Sequence, residues 1–399
     1  MHLFGALFTV AVSLALGKLL LRAIGASLYR EEEHVIAFPV GAACLSGWVF
    51  LLCTVGAARW EIFLASGMAV LGVALWRGAQ RPCGPPLPPL SRLWRWTFAT
   101  LYAGFGALYL VNAMAPEYSP DGSSYHLGLV ARYLRAGGFE RITTHMYANL
   151  SQGVDLLYLF AFAFGRHPAA ALTHFAFLAA LPLAMCAWGR RFGHPSAAAC
   201  AALLVFLSPV VGQDGTTAYI DVAVACVIFA LFHLVHVWSI ERTNALLVPI
   251  GLLAGFGYAA KYTAFVAIPY ALVAVGRRRW RAAIPVAAVA ALMIAPWIAK
   301  NTLWLGNPFS PFFNSWFPNP YVHVSFEQEY ARSLRFYEGL PGYAAIPLEV
   351  TVRGGVLMGV VGPMFLLAPV ALAAASTADG RRILAAGAVF LAPYFANIG

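Results

Sequence analysis

Apolar residues in this chain come in long blocks instead of alternating with polar ones, and blocks near the length that crosses a hydrocarbon layer recur from end to end. The first four cover residues 3–21, 34–55, 62–76 and 94–114, the third being short. After a polar stretch at 115–152, an apolar run at 154–165 would reach only about 18 Å as helix, so it reads as a partial or re-entrant segment. Blocks at 169–188, 197–211, 220–238, 246–275, 283–298, 346–375 and 383–395 complete the pattern, with a second long polar loop at 300–343. The 246–275 block is long for one crossing and carries Gly255, Gly257 and Pro269. It predicts a hairpin of two short helices turning near Lys261. Residues 127–135 (LGLVARYLR) have the spacing of an amphipathic helix lying along the interface. The prediction is an all-α, polytopic integral membrane protein, a helical bundle of about 11–13 membrane segments with amphipathic interface helices in its outer loops.

Composition removes the soluble alternative. Hydrophobic residues make up 61% and charged residues 11%, at a mean hydropathy of +0.73, whereas a soluble domain carries roughly 25% charged residues. The net charge of +10 does not point to nucleic acid, because the lysines and arginines cluster at the ends of apolar blocks, as in loops held at a cytoplasmic face. The Pro-rich connector at 77–95, with Arg77, Arg81, Arg92 and Arg95, is the strongest such signal. Held inside, it sends 115–152, 212–219, the turn near Lys261 and 300–343 to the outer side. The six cysteines are scattered with no paired spacing, which argues against zinc or a redox pair. Lys18 and Arg22, the first basic residues, lie at the far end of the first apolar block instead of preceding it, so that block is expected to be retained and not cleaved as a signal. The chain stops inside its last apolar block, and a truncated chain is the expectation there.

The outer loops hold the candidate chemistry. Asp121 lies in a Pro-Asp-Gly sequence that also suits a turn or a helix cap, and His126 follows it at an interface. Asp221 stands two residues into an apolar span, where an acid is costly unless it faces a cavity or a partner, although a first-turn acid also favours the helix dipole. Lys261 is the one charge between Ala245 and Val275; a lysine there either snorkels to the interface or offers a buried cation to a phosphate. Trp297 and Trp304 suit an aromatic belt, and Asn307-Pro308 suits a turn.

The order of these features carries more than any one of them. An acid in the first outer loop (Asp121, with Tyr125-His126) is followed by Tyr219-Ile-Asp221, by Gly257 to Tyr262 around Lys261, and by Pro296-Trp297 through Asn307-Pro308. This resembles the GT-C superfamily of polytopic glycosyltransferases, most closely the bacterial family 39-like members related to protein O-mannosyltransferases and aminoarabinose transferases. The resemblance implies a GT-C-like catalytic core over 94–311, preceded by a three-helix N-terminal extension at 1–93 and followed by C-terminal spans at 344–399.

It also implies roles. Asp121 would be general base or substrate-orienting carboxylate with His126 beside it. Asp221 would assist, or share with Asp121 a divalent cation such as Mg or Mn. Lys261, with Tyr262 and Lys300, would face the phosphate of a polyprenyl-phosphate sugar. Glu117, Tyr125, Gln152, Asp155, Tyr219, Trp297, Asn301 and Asn307 would contact donor or acceptor. The acceptor would be a lipid, glycan or protein, reached on the extracytoplasmic side of the cytoplasmic (inner) membrane. Two departures stand out: Gly122 follows Asp121 where the mannosyltransferases pair two acids, and the Lys-Pro-Pro-Leu element of the aminoarabinose transferases is absent, Ser151 to Asp155 occupying a comparable place. Other readings are a flippase or transporter of lipid-linked sugars, with polar residues through the depth of several spans, and a polymerase or ligase of lipid-linked glycans sharing the outer site. A purely structural scaffold would leave the membrane charges as cost without return.

Overall fold

The structure is a computed structural model that describes residues 2–323, 325–333, 335–357 and 359–396. Helices dominate, since a backbone in hydrocarbon must satisfy its own hydrogen bonds. The first four, α1 (His2–Ala23), α2 (Arg30–Thr54), α3 (Trp60–Trp76) and α4 (Arg92–Ala113), precede a short amphipathic α5 (Leu127–Ala136). Then come α6 (Gly153–Arg191), α7 (Pro195–Phe206), the single turn-and-a-half α8 (Pro209–Asp214), α9 (Asp221–Glu241), α10 (Leu247–Ala260), α11 (Ala267–Gly276) and α12 (Trp280–Leu305). Beyond these lie α13 (Phe326–Ser333), one turn at Ile346–Leu348 (α14) and α15 (Ala378–Ala396). Five of them, α1, α2, α6, α9 and α12, are long and apolar enough to cross a membrane, and shorter apolar helices fill in the bundle. Large apolar side chains such as Leu7, Leu51, Leu75, Leu108, Leu292 and Leu303 stand exposed around it, as a lipid-facing surface requires.

The N-terminal helices are built into the core. A Cβ on Gly17 would run into the Ala37 carbonyl and one on Gly41 into that of Ser13, so α1 and α2 cross backbone to backbone. The Ser46 hydroxyl donates to the Gly153 carbonyl at 2.7 Å, tying α2 to the start of α6. At the opposite end, Arg22 pairs with Glu33, and Arg190 donates to Glu31 and to the carbonyls of Leu87 and Pro88. Arg191 bridges Glu32 and Glu241, while His233 meets the other oxygen of Glu32 at 2.9 Å, both side chains fully buried. Arg22, Arg190, Arg191 and His233 at this basic end therefore hold α1, α2, α6 and α9 together.

Two expectations take sharper form. The partial helix at 154–165 is the first part of α6, which breaks at Arg166 (φ 58°) ahead of Pro168. Proline lacks the N–H that would continue the ladder and disfavours helix in the residue before it, so the chain turns there and starts the crossing afresh. The hairpin at 246–275 is α10 and α11, parted at Lys261, which is extended (φ −154°, ψ 130°). The expected single span at 346–375 needs correction. It divides into α14, a π turn at Glu349–Arg353, a loop and a 3-10 helix at Pro363–Ser376. Glycine conformations at Gly354 (φ 67°) and Gly362 (φ 113°) interrupt it, and the low helix propensity of glycine explains the break.

Candidate active site

Glu117 shapes the loop after α4. Its carboxylate accepts from the backbone N–H of Ser119 at 2.9 Å and of Ala218 at 2.6 Å, joining the loop to the segment before α9. Asn112, near the end of α4, donates to Thr216 at 2.6 Å and reinforces that join. A Cβ on Gly122 would lie 2.5 Å from the Ser119 hydroxyl and 2.6 Å from the Glu117 carboxyl carbon. A second acid beside Asp121 would therefore displace the Ser119 and Glu117 side chains that shape the loop.

A single π turn, Gly122–His126, then leads into α5. Asp121 precedes that turn but its side chain caps nothing. It is exposed and lines a cavity of about 690 Å³ shared with Asp221, Lys261, His126 and Asp155. Tyr125, Gln152 and Tyr262, also predicted from the sequence, line the same cavity. Buried His126 holds Asp155 through Nδ1 at 2.7 Å, which fixes the imidazole against the first turn of α6. Lys261 forms an ion pair with Asp221, both partly exposed to the cavity. Gln152 accepts from the Tyr133 hydroxyl at 3.0 Å, and Asn301 donates to the Tyr262 hydroxyl at 3.2 Å and to the Asn149 carbonyl at 2.8 Å.

Several predicted residues support this cavity without lining it. Lys300, expected at the phosphate, stands as an enclosed cation: its ammonium donates to the Ala148 carbonyl at 3.4 Å and lies among the rings of Phe139, Trp297 and Trp304. Trp297 packs edge-on against Phe50 and Phe139. Asn307 closes its own turn, accepting from the Phe309 N–H at 2.9 Å and donating to the Phe312 carbonyl at 2.8 Å. Tyr219 presents its carbonyl to the Tyr158 hydroxyl, with its ring 6.3 Å from that of His126. Glu117 and Asn301 act through the backbone and the tyrosine described above.

Other contributors were not singled out in the sequence. Tyr147, Thr263, Phe312, Tyr330 and Ser333 line the cavity. The last two sit on α13, whose Phe326 and Tyr330 stack at helical spacing, a signal that a short polar loop helix could have given. Asp214, at the end of α8, accepts from the Val222 N–H at 2.9 Å and lies 3.7 Å from His174. Burial, and then the negative charge of Asp221, push its carboxyl up to about 7. Burial and the surrounding carboxylates likewise raise Tyr125, and burial raises Tyr147 and Tyr330, so these phenols stay protonated and able to donate.

The arrangement brings one unbonded carboxylate, one cation held by a second carboxylate and a ring of phenols into a single pocket. Residues 156–304 match the family described as dolichyl-phosphate-mannose-protein mannosyltransferase. That family is one of the GT-C glycosyltransferases, so the match agrees with the GT-C resemblance of the sequence. The matched segment runs from the first turns of α6 almost to the end of α12, rather less than half of the chain; it includes Asp214, Asp221 and Lys261 and leaves Asp121 and His126 outside. No curated protein and no solved structure matches the chain. The match lies within a multi-pass helical bundle and is to a family of membrane glycosyltransferases.

Proposed function

We propose that the chain transfers a sugar from a polyprenyl-phosphate donor to an acceptor hydroxyl, with Asp121 as general base. The observation that carries this reading is the shared cavity: Asp121 makes no hydrogen bond or ion pair with any described residue, while Lys261, paired with Asp221, stands in the same space. A carboxylate free of partners can take the proton as the acceptor oxygen attacks the anomeric carbon. The bond from that carbon to the phosphate oxygen breaks, and the leaving lipid phosphate keeps the electron pair, its charge met by the Lys261 ammonium. Asp221 holds that ammonium in place. One displacement of this kind inverts the anomeric centre.

A divalent cation fits less well. Among the described residues no three His, Cys, Asp or Glu side chains converge on a possible ion, and Lys261 already answers the charge of Asp221. The reaction is therefore derived without one. We place the cavity on the extracytoplasmic side of the cytoplasmic membrane because the arginines at the far end, Arg22, Arg190, Arg191, Arg277 and Arg278, favour a cytoplasmic position. The flippase reading fares worse, since the body of α9 between Asp221 and His233 is apolar and offers no polar path.

The test pairs turnover with transport. Purified protein in sealed vesicles, given labelled polyprenyl-phosphate sugars and extracted envelope acceptors, should release free polyprenyl phosphate together with glycosylated acceptor. Movement of intact donor across the bilayer without turnover would reject the reading.

A further inference from the structure

A second cavity, of about 430 Å³, opens at the basic end between α9, α11 and α15. From Asp221 to His236, α9 runs for about 22 Å at helical rise, so this cavity is separate from the one around Asp121. Phe232, Val235, Tyr270, Val273 and Val389 make its walls apolar, while His236, Arg277, Arg278 and Arg382 stand at its rim.

The charges at this rim do not balance. Arg382 donates to Asp379 at 2.8 Å, and its guanidinium lies 2.7 Å from Nε2 of His236. Asp379 also lies 3.3 Å from His236 and 3.3 Å from His194. His236 accepts at its other nitrogen from the Trp188 indole at 3.1 Å. One acid thus answers the arginine and histidines from α15, α9 and the turn before α7. Arg277 and Arg278, at the end of α11, are exposed and have no acid within ion-pair distance among the described residues. Their neighbours differ: Arg279 donates to Asn244 at 2.9 Å, and the arginines of α1 and α6 at this end are taken up by Glu33, Glu31, Glu32 and Glu241. Two guanidinium groups with no acid partner among the described residues, beside an apolar slot between membrane helices, match a phosphate diester attached to an acyl chain.

We propose that this cavity binds one anionic phospholipid, its phosphate between Arg277 and Arg278 and an acyl chain against Val273 and Tyr270. Charge complementarity selects the headgroup and the apolar walls select a lipid over a free anion. The site does not depend on the glycosyl-transfer reading, because it shares no residue with the Asp121 cavity.

Native mass spectrometry of the full chain, exchanged from detergent into mixtures of phosphatidylglycerol and phosphatidylcholine, tests the proposal. The unaltered protein should retain phosphatidylglycerol about tenfold over phosphatidylcholine. R277Q/R278Q, which alters exposed side chains that form no ion pair with any described residue, should lose that preference. V273W should reduce retention with both arginines in place, because it fills the slot. Equal retention of the two lipids by the unaltered protein, or an undiminished preference in R277Q/R278Q, would overturn the site. Full displacement of the lipid by millimolar inorganic phosphate would also overturn it, showing an anion site without a lipid.

Discussion

Asp221 and Lys261 form an ion pair across the point where α10 gives way to an extended residue, so the first turn of α9 and the break in the hairpin are fixed to each other at the cavity. Each side chain is partly exposed, at 49% and 32%. Their attraction therefore adds little to stability, within about 0–1 kcal/mol for an exposed pair. Its use is to hold a cation where a phosphate can replace the carboxylate as partner. K261M is expected to raise the donor KM by at least tenfold with a small change in melting temperature. D221N is expected to weaken donor binding less, and D221N/K261M to resemble K261M alone, a non-additivity that steady-state kinetics on the double-mutant cycle will show.

Asp121 makes no hydrogen bond with any described residue, so D121N should fold and melt as the unaltered chain does. Its kcat should fall by about 10²- to 10⁴-fold, the usual loss of a general base. Circular dichroism melting and turnover measured on one preparation will separate the two effects.

The pair of His126 with Asp155 is buried and short, at 2.7 Å. D155A leaves the imidazole without its acceptor and should cost about 1.5–3 kcal/mol of stability, the range for a hydrogen bond to a charged group. D155N, which keeps an acceptor oxygen, should recover most of the loss in a thermal-shift assay.

Asp214 gives a pH dependence with a definite sign. Its carboxyl ordinarily titrates near 3.8 and is pushed up to about 7 in the folded chain. Between those values the folded state holds more protons than the unfolded state, so stability is greatest at low pH and falls as pH rises, levelling off above about 7. D214N removes the titration and should flatten the melting temperature over that interval. A slope unchanged in D214N would assign the dependence to another group.

Chelation should leave turnover intact. With Lys261 as the counter-charge to Asp221, activity in excess EDTA is expected to stay within about twofold of the control, whereas a catalytic divalent ion would make it collapse by orders of magnitude.

Much of this was legible in the sequence because membrane burial writes itself as length and composition. The apolar blocks, the basic connectors and the turn at Lys261 follow from the cost of exposing backbone and charge to hydrocarbon. Asp221 and Lys261 stood out for the same reason, as charges in places that punish charge, whereas Asp121 stood out by its place in the first outer loop. Pairings across the fold were not legible. Nothing in the spacing joins His126 to Asp155, Arg191 to Glu32, or Asp214 to Val222. Lys300 looked equivalent to Lys261, yet three aromatic rings that converge only in the folded chain enclose it. The 346–375 block read as one span because hydropathy registers its apolar residues and is nearly blind to the glycines that turn the chain at Gly354 and Gly362.

The central claim, sugar transfer from a lipid phosphate with Asp121 as base, is tested most directly by single-turnover transfer of labelled sugar from a polyprenyl-phosphate donor to acceptor, comparing the unaltered chain with D121N at saturating donor. The prediction is formation of a product with inverted anomeric configuration, slowed at least a hundredfold in D121N while donor binding is unchanged. Transfer at the same rate by both proteins, or a product with retained configuration, would contradict it.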